Sequence, residues 1–283
     1  MREFKNIDKA DSVLQQSGTG QEMVSILHRS KDEIKLKLKK TSLIIPVLQE
    51  EKLLDDTLKK FPSELLNKYN IELIISDGGS KDKTLEIANV YANKIIEYHG
   101  IDKQTISAGR NAGAKRSEGE ILIFINGDSY PENCEAFFEL IHNWANGFGK
   151  YKDCIALTCW VTIHPDEMLM KDKIFYAIHN RYIMFLNFIS IGMGRGECQI
   201  VRREYYDRVG GYDEKLAAGE DFDLFKRIAK IGKIGFVKDL KVYESPRRFR
   251  KYGYFKVISQ WIVNSISVMI YRKSVSEEWD PVR

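Results

Sequence analysis

Short, continuously apolar runs set off by turn residues mark the chain between residues 41 and 125. Leu43-Ile44-Ile45-Pro46-Val47, Ile71-Glu72-Leu73-Ile74-Ile75 and Ile121-Leu122-Ile123-Phe124-Ile125 are too short for buried helices and too uniformly apolar for half-exposed strands. They predict strands of a parallel sheet covered on both faces. Between them the period changes to that of helices. A helical pattern runs near 50 to 61, and Ser80 is placed to cap a helix in which Leu85, Ala88 and Ala92 share one face. A short strand at Ile95-Ile96, a helix over about 104 to 117 and a strand over 120 to 125 complete a β-α-β-α-β-α-β series. Such a series predicts a parallel sheet with right-handed crossovers.

The second half is less regular. It reads as a helix over 131 to 147, a strand at Ile155–Val161, an aromatic-rich helix from about 167 to 190, a strand at Cys198–Val201, a helix over 220 to 231 and a last strand from Ile234 to Val242. No internal repeat or Pro-rich linker divides this stretch, so one domain is expected over 41 to 250. Residues 1 to 40 form a polar extension, and 251 to 283 a C-terminal helix and tail.

The chain has 283 residues, of which 43% are apolar, enough for a sizeable core. A formal net charge of +4 gives no general attraction to anionic partners. Cys134, Cys154, Cys159 and Cys198 have no Cys-x-x-Cys spacing and no His at zinc-ligand distance in sequence, which predicts reduced thiols and a cytoplasmic setting. There is no secretory leader pattern and no apolar run of membrane-spanning length.

Acidic motifs end two of the strands: Asp77-Gly78-Gly79-Ser80 follows the second, and Asn126-Gly127-Asp128 follows the run 121 to 125. In an open α/β sheet the carboxyl ends of strands border the ligand crevice, so these side chains are expected to converge. Glu220-Asp221-Phe222-Asp223, at the start of a later helix, adds a third group. A helix cannot point 220, 221 and 223 in one direction, and Asp221 is the candidate of most interest. Each motif also has a structural reading: Asp77 as a turn former, Asp128 in a plain strand-to-helix turn, and the 220–223 acids as partners of the helix dipole.

Pro46 with Gln49-Glu50, the stretch Asp77 to Thr84, Gly109-Arg110-Asn111-Ala112-Gly113, Asn126-Gly127-Asp128 and Gly219-Glu220-Asp221 occur in the order seen in family-2 glycosyltransferases of the A-type fold, which the chain resembles over about 41 to 250. The resemblance implies a single α/β domain with a mostly parallel central sheet, flanking helices and a C-terminal helical segment. Residues 41 to 130 would bind the nucleotide sugar and 131 to 250 the acceptor. It implies an inverting transferase using a uridine or guanosine diphosphate sugar and Mg²⁺ or Mn²⁺, with a sugar or lipid-linked hydroxyl as acceptor. Pro46, Val47, Glu50, Asp77, Arg110, Asn126 and Asp128 are then the donor-binding residues. Asp221 is the general base, Glu220, Arg247 and Arg248 contact acceptor or phosphate, and Asp128 is the metal ligand of an Asp-x-Asp motif.

Asn126 departs from that motif and removes one negative charge, which keeps open a catalytically silent nucleotide-sugar-binding protein. A retaining transferase of the same fold is a further alternative. Relatives often carry a metal-binding His near the last strand, but this chain has no His after His179, and Glu244 is the carboxylate at that place. It is expected to help Asp128 hold the metal, or else to be a surface residue paired with Arg247 or Arg248. Gly192-Met193-Gly194-Arg195-Gly196-Glu197 lacks the spacing and the following helix of a dinucleotide fingerprint. Its glycines read either as room for an acceptor or as a plain loop.

Pro246 to Ser276 holds seven basic residues and no acidic one. No nucleic-acid recognition motif accompanies them. Phe255, Ile258, Trp261, Ile262, Ile266 and Met269 recur there at helical spacing, which predicts a helix lying on an anionic membrane surface, with Trp261 at headgroup level, or one packed on the sheet.

Overall fold

The computed structural model describes residues 39–271 and 273–276, so the expectation for the N-terminal extension lies outside the described residues except at Lys39 and Lys40. Four strands, β1 (Thr41–Val47), β2 (Ile71–Asp77), β3 (Lys94–Glu97) and β4 (Ile121–Ile125), form the predicted parallel half. Helices α1 (Leu54–Leu58), α2 (Ser63–Lys68), α3 (Thr84–Tyr91) and α4 (Ile106–Arg116) lie between them. Then follow β5 (Ser129–Pro131), α5 (Cys134–Ala145), β6 (Cys154–Ile163), α6 (Met170–Phe188), β7 (Cys198–Arg202), α7 (Arg203–Arg208), α8 (Glu220–Ala229), β8 (Lys233–Glu244), α9 (Arg247–Tyr252) and α10 (Tyr254–Tyr271).

The eight strands make one sheet in the order β3-β2-β1-β4-β7-β6-β8-β5. Pairs β1–β2, β2–β3, β1–β4 and β6–β8 are parallel, whereas β4–β7, β6–β7 and β5–β8 are antiparallel. The mostly parallel α/β architecture is therefore the observed one. Its antiparallel strands fall in the half where the sequence lost its regular alternation.

The continuous apolar runs follow from double coverage. Leu43, Ile45, Leu73, Ile75, Ile121, Ile123 and Ile125 meet Leu54, Phe61, Phe137, Phe138 and Trp144 on one side of the sheet. Ile44, Ile74, Leu122 and Phe124 meet Ala114, Tyr206, Tyr212 and Phe225 on the other. Alternate residues of each strand thus enter separate cores, and the few polar residues among them, such as Ser42 and Glu72, are buried and hydrogen-bonded to each other.

Three local expectations change. Ser80 does not cap α3: its hydroxyl turns back to Asp77, and Asp82 accepts from the Thr84 N–H instead at 3.0 Å. The helix expected from 131 starts at Cys134, because Ser129–Pro131 pairs with Glu244–Val242 and Asn133 is the residue that accepts from Ala136 N–H. The short helices α2 and α7 lie where the sequence has no periodic signal.

The β6–β8 ladder is irregular. Cys159 faces Val237, yet the next residue, Trp160, faces Lys241, so β8 carries three extra residues at that point.

Helix α4 lies close on β1. A methyl group on Gly113 would come within 2.3 Å of Ile44 Cγ2, and Ile44 is a fully buried, β-branched core residue. Gly113→Ala is expected to destabilise the domain by about 1–3 kcal/mol through overpacking, despite alanine's better helix propensity. Urea unfolding checks this, and a stabilised variant would show that α4 can shift.

Candidate active site

The carboxyl ends of β1, β2, β4 and β8 border a cleft of about 440 Å³, within the usual size for a small-ligand site. Pro46, Val47, Glu50, Asn126 and Asp128 line it on the donor side of the sequence-based scheme. Glu197, Glu244, Arg247 and Arg248 line it as well, together with the loop 102–106, Phe249 and Trp261. The sequence thus names much of this wall, but it gave no signal for Lys103 and Gln104.

Arg247 links two of the candidate residues. Its guanidinium lies 2.8 Å from Glu50 Oε1 and 3.1 Å from Asp128 Oδ2. Asp128 therefore has a cationic partner in this arrangement. Arg247 is not paired with Glu244, whose partner is Arg195 instead.

Asp77, Arg110 and Glu220, expected to contact donor, acceptor or phosphate, are not among the residues that line the cleft. Asp77 is buried, and its carboxylate is consumed by its own turn: Oδ2 accepts from the N–H groups of Gly79 and Ser80 at 2.9 and 2.8 Å, and Oδ1 from the Ser80 hydroxyl. That is the turn-forming role of an Asp before Gly-Gly-Ser. Arg110 lies in the middle of α4 rather than at its start, fully excluded from solvent. It donates to Glu220 Oε1 at 2.9 Å, Asn126 Oδ1 at 3.0 Å and the Gly196 carbonyl at 2.8 Å, and stacks over Tyr212. It touches protein where base or phosphate was expected. Glu220 is its counter-ion rather than an acceptor contact. The side-chain oxygen of Asn126, an expected donor-binding residue, accepts from the same guanidinium.

Asp221 is the next residue of α8 and lies beside Gly196, at which a methyl group would be 3.6 Å from Oδ2. Oδ1 accepts from the Phe222 N–H at 2.8 Å. Burial, then the charges of Glu220 and Glu197, push its carboxyl up to about 7, although Arg110 pulls the other way. Such a group titrates near neutrality and is suited to take a proton. It is not itself on the cleft wall; Glu197, one residue beyond Gly196, is.

A buried network that the sequence did not announce completes the other side. Arg195 donates to Glu197 Oε2 at 2.8 Å and to Glu244 Oε1 at 3.0 Å, and the Tyr176 hydroxyl donates to the same Glu244 oxygen at 2.6 Å. One guanidinium serves two carboxylates. Burial opposes ionisation of Glu197, but Arg195 outweighs it and holds the group down at about 2. Glu244 goes the other way, raised well above the usual carboxylate range by burial, Glu197 and Asp128. His179 also meets Arg195, and burial together with that guanidinium lowers it to about 3, so it is neutral at physiological pH.

The glycines around Arg195 have a packing cause. Gly192 has φ +83°, and a methyl group there would lie 2.4 Å from the Phe225 carbonyl oxygen; one on Gly194 would lie 2.6 Å from the Phe225 ring. The loop lies directly on α8, which brings Glu197 to the cleft wall with Arg195 behind it. The readable signal was a pair of opposite charges among glycines too crowded for side chains.

Among the described residues no three His, Cys, Asp or Glu side chains form a ready-made metal cage. Two oxygen donors on the wall nonetheless fit a hard divalent cation: Asp128, and Glu244 through Oε2, which has no hydrogen bond among the described residues. The raised proton affinity of Glu244 marks a place short of positive charge, as such an ion would supply.

The chain belongs to the glycosyltransferase like family 2: the family's model matches residues 42–263. It is 25% identical over 208 residues to the probable glycosyltransferase YdaM of Bacillus subtilis, an overlap of 69% of this chain and 48% of that protein. It is 32% identical over 156 residues to the poly(ribitol-phosphate) beta-glucosyltransferase of Bacillus spizizenii, covering 49% of this chain and 24% of that one. The chain thus spans about half of the first relative and about a quarter of the second. Among solved structures, the mannosyltransferase PcManGT from Pyrobaculum calidifontis, in complex with GDP-Man and Mn²⁺, aligns with a TM-score of 0.61 at 16% identity, over 87% of this chain and 71% of that one. Residues 1–349 of S. aureus TarS with UDP-GlcNAc align at 0.52 and 16%, over 82% and 74%. The fold is that of the A-type glycosyltransferases.

Removing one partner of a buried pair strands the other. Arg110→Met is expected to destabilise the protein by about 3–5 kcal/mol, and Arg110→Met with Glu220→Gln by less than the sum of the single changes. Urea unfolding of all three variants checks this; strict additivity would mean that the two side chains do not interact.

Proposed function

We propose that the chain is an inverting, metal-assisted glycosyltransferase that moves a sugar from a uridine or guanosine diphosphate sugar to a hydroxyl acceptor. The observation that carries this reading is Asp221, a half-buried carboxyl pushed up to about 7 beside a cleft at the strand ends, in a chain of this family. Asp221 accepts the acceptor's hydroxyl proton as that oxygen attacks the anomeric carbon. The carbon's bond to the diphosphate breaks on the opposite face, so configuration inverts. Phe222 N–H holds the carboxylate through Oδ1. Arg110 acts behind the reaction, fixing Asn126 and Glu220.

Pro46, Val47 and Glu50 form the wall for base and ribose, and Arg247 and Arg248 face the phosphates. Asp128 and Glu244 would hold Mg²⁺ or Mn²⁺, which neutralises charge on the departing diphosphate. Arg247, bonded to Asp128 and Glu50, would be the cation nearest the diphosphate were Asp128 to serve as a metal ligand. A binding protein without turnover is the second reading, favoured by Asn126, whose oxygen is occupied by Arg110.

A thermal-shift screen of nucleotide sugars with and without Mn²⁺, followed by NMR of the product anomer, tests the proposal. Binding with no transfer or hydrolysis would favour the second reading, and retained configuration would exclude inversion.

Turnover is expected to rise with pH through about 7 as Asp221 ionises. Asp221→Asn should lower it by roughly 10²- to 10⁴-fold with donor affinity preserved. The stability linkage has the opposite sign. A carboxyl raised from 3.8 in the unfolded chain to about 7 stabilises the fold at low pH, and that contribution disappears as pH rises through 7. Asp221→Asn should therefore flatten the fall in stability between about pH 4 and 7, as urea unfolding across that range would record. An unchanged slope would place the titration on another group.

Glu244→Gln should raise the Mn²⁺ concentration needed for half-maximal activity by roughly tenfold. A Mn²⁺ titration that coincides with the wild type would remove Glu244 from the metal site.

A further inference from the structure

Helices α6 and α10 pack side by side. Phe175 meets Tyr254 at 4.9 Å and Trp261 at 6.3 Å between ring centroids, and His179 meets Trp261 at 5.4 Å. Trp261 is thus part of the seam, whereas one of the two readings of the sequence pattern had it at headgroup level. Beside the seam each helix carries an apolar stripe in water. Ile174, Ile178 and Phe185 on α6 are 55%, 65% and 56% exposed, and Phe255, Ile262 and Ile266 on α10 are 88%, 52% and 47% exposed. Helical spacing puts each set on one face next to its seam residues. Two adjacent apolar stripes of this size mark an interaction surface.

The charges around the stripes select the partner. Lys171, Lys173, Arg181, Lys251 and Lys256 are all exposed. The one acid within α6, Asp172, is buried and paired with Arg250, and α10 has none. The exposed acids Asp166 and Glu167 lie ahead of α6, on the 3-10 turn Pro165–Glu167. A second copy of this face would set these cations against themselves across a two-fold axis. A spanning mode is absent as well: among the described residues no helix is long and apolar enough to cross a membrane.

We propose that α6 and α10 form a docking face for an anionic lipid bilayer, with the apolar stripes in the interface and the lysines and arginines at the headgroups. Phe249 and Trp261 belong both to this helical seam and to the cleft wall. Docking therefore brings the cleft to the lipid surface. For a transferase this presents the site to a lipid-linked hydroxyl, a consequence that rests on the function proposed above. The docking itself does not.

Co-sedimentation of the full chain with phosphatidylcholine vesicles, alone or mixed with phosphatidylglycerol, tests the proposal at low and moderate salt. Binding to the mixed vesicles, weakened by salt, is expected. Ile178→Glu with Ile266→Glu should abolish it with the thermal unfolding transition retained, and Lys251→Ala and Lys256→Ala should each weaken it roughly fivefold. If the paired glutamate variant unfolds, the two lysine variants decide. The proposal is overturned by negligible binding to both vesicles, by binding indifferent to phosphatidylglycerol, or by lysine variants that bind like the wild type. Sedimentation velocity showing a dimer, without vesicle binding, would assign the face to a second copy.

Discussion

A buried guanidinium has to be surrounded by acceptors, and Arg110 meets that demand at Nη1 and Nη2, though not at Nε, by drawing four parts of the chain together. Its partners come from α8, the end of β4, the loop at Gly196 and the ring of Tyr212. Breaking any one contact leaves charge in a medium that solvates it poorly. The relative positions of Asn126 and Glu220 are consequently fixed by electrostatics as well as by the sheet. Asp221 inherits that placement, because it follows Glu220 on the same helix.

A comparable economy governs the opposite side of the cleft. Arg195 lies between Glu197 and Glu244, and a single positive charge does not stabilise two buried negative ones equally. Glu197 keeps its charge and Glu244 tends to keep its proton. Tyr176 moderates this asymmetry, because its hydroxyl donates to Glu244 and favours the ionised carboxylate. The site is thereby prepared to respond to any added positive charge, whether a proton, a metal ion or a displaced arginine.

The parts of this fold legible in the sequence were those with a one-dimensional signature. β1, β2 and β4 are covered on both faces and so appear as unbroken apolar runs, and the strand-end position of Asp128 follows from that reading. β5 was not legible: three residues ending in proline have no period, and their pairing with Val242–Glu244 is decided more than a hundred residues away. Arg110 looks like a ligand-binding residue by type and neighbourhood, yet its partners are protein groups that only tertiary structure supplies, whereas those of Asp77 lie in its own turn. Glu197 was hidden for the converse reason. Its loop looked like flexible glycine sequence, but those glycines allow close contact with Phe225.

The three-residue excess in β8 has a consequence for how a site of this kind can diverge. Side chains of a strand alternate between its faces, so an odd insertion reverses their parity beyond it. Before the irregularity the alternating buried positions are Gly235 and Val237; after it they are Leu240 and Val242, with Tyr243 buried as well. Glu244 shares the parity of this second set and Tyr243 does not. Loss or gain of a single residue between Lys238 and Leu240 would exchange the two, turning a phenol toward the cleft and the carboxylate away from it. Within such a lineage, one codon-length change in an exposed stretch would alter the chemistry of the site without replacing any residue in it.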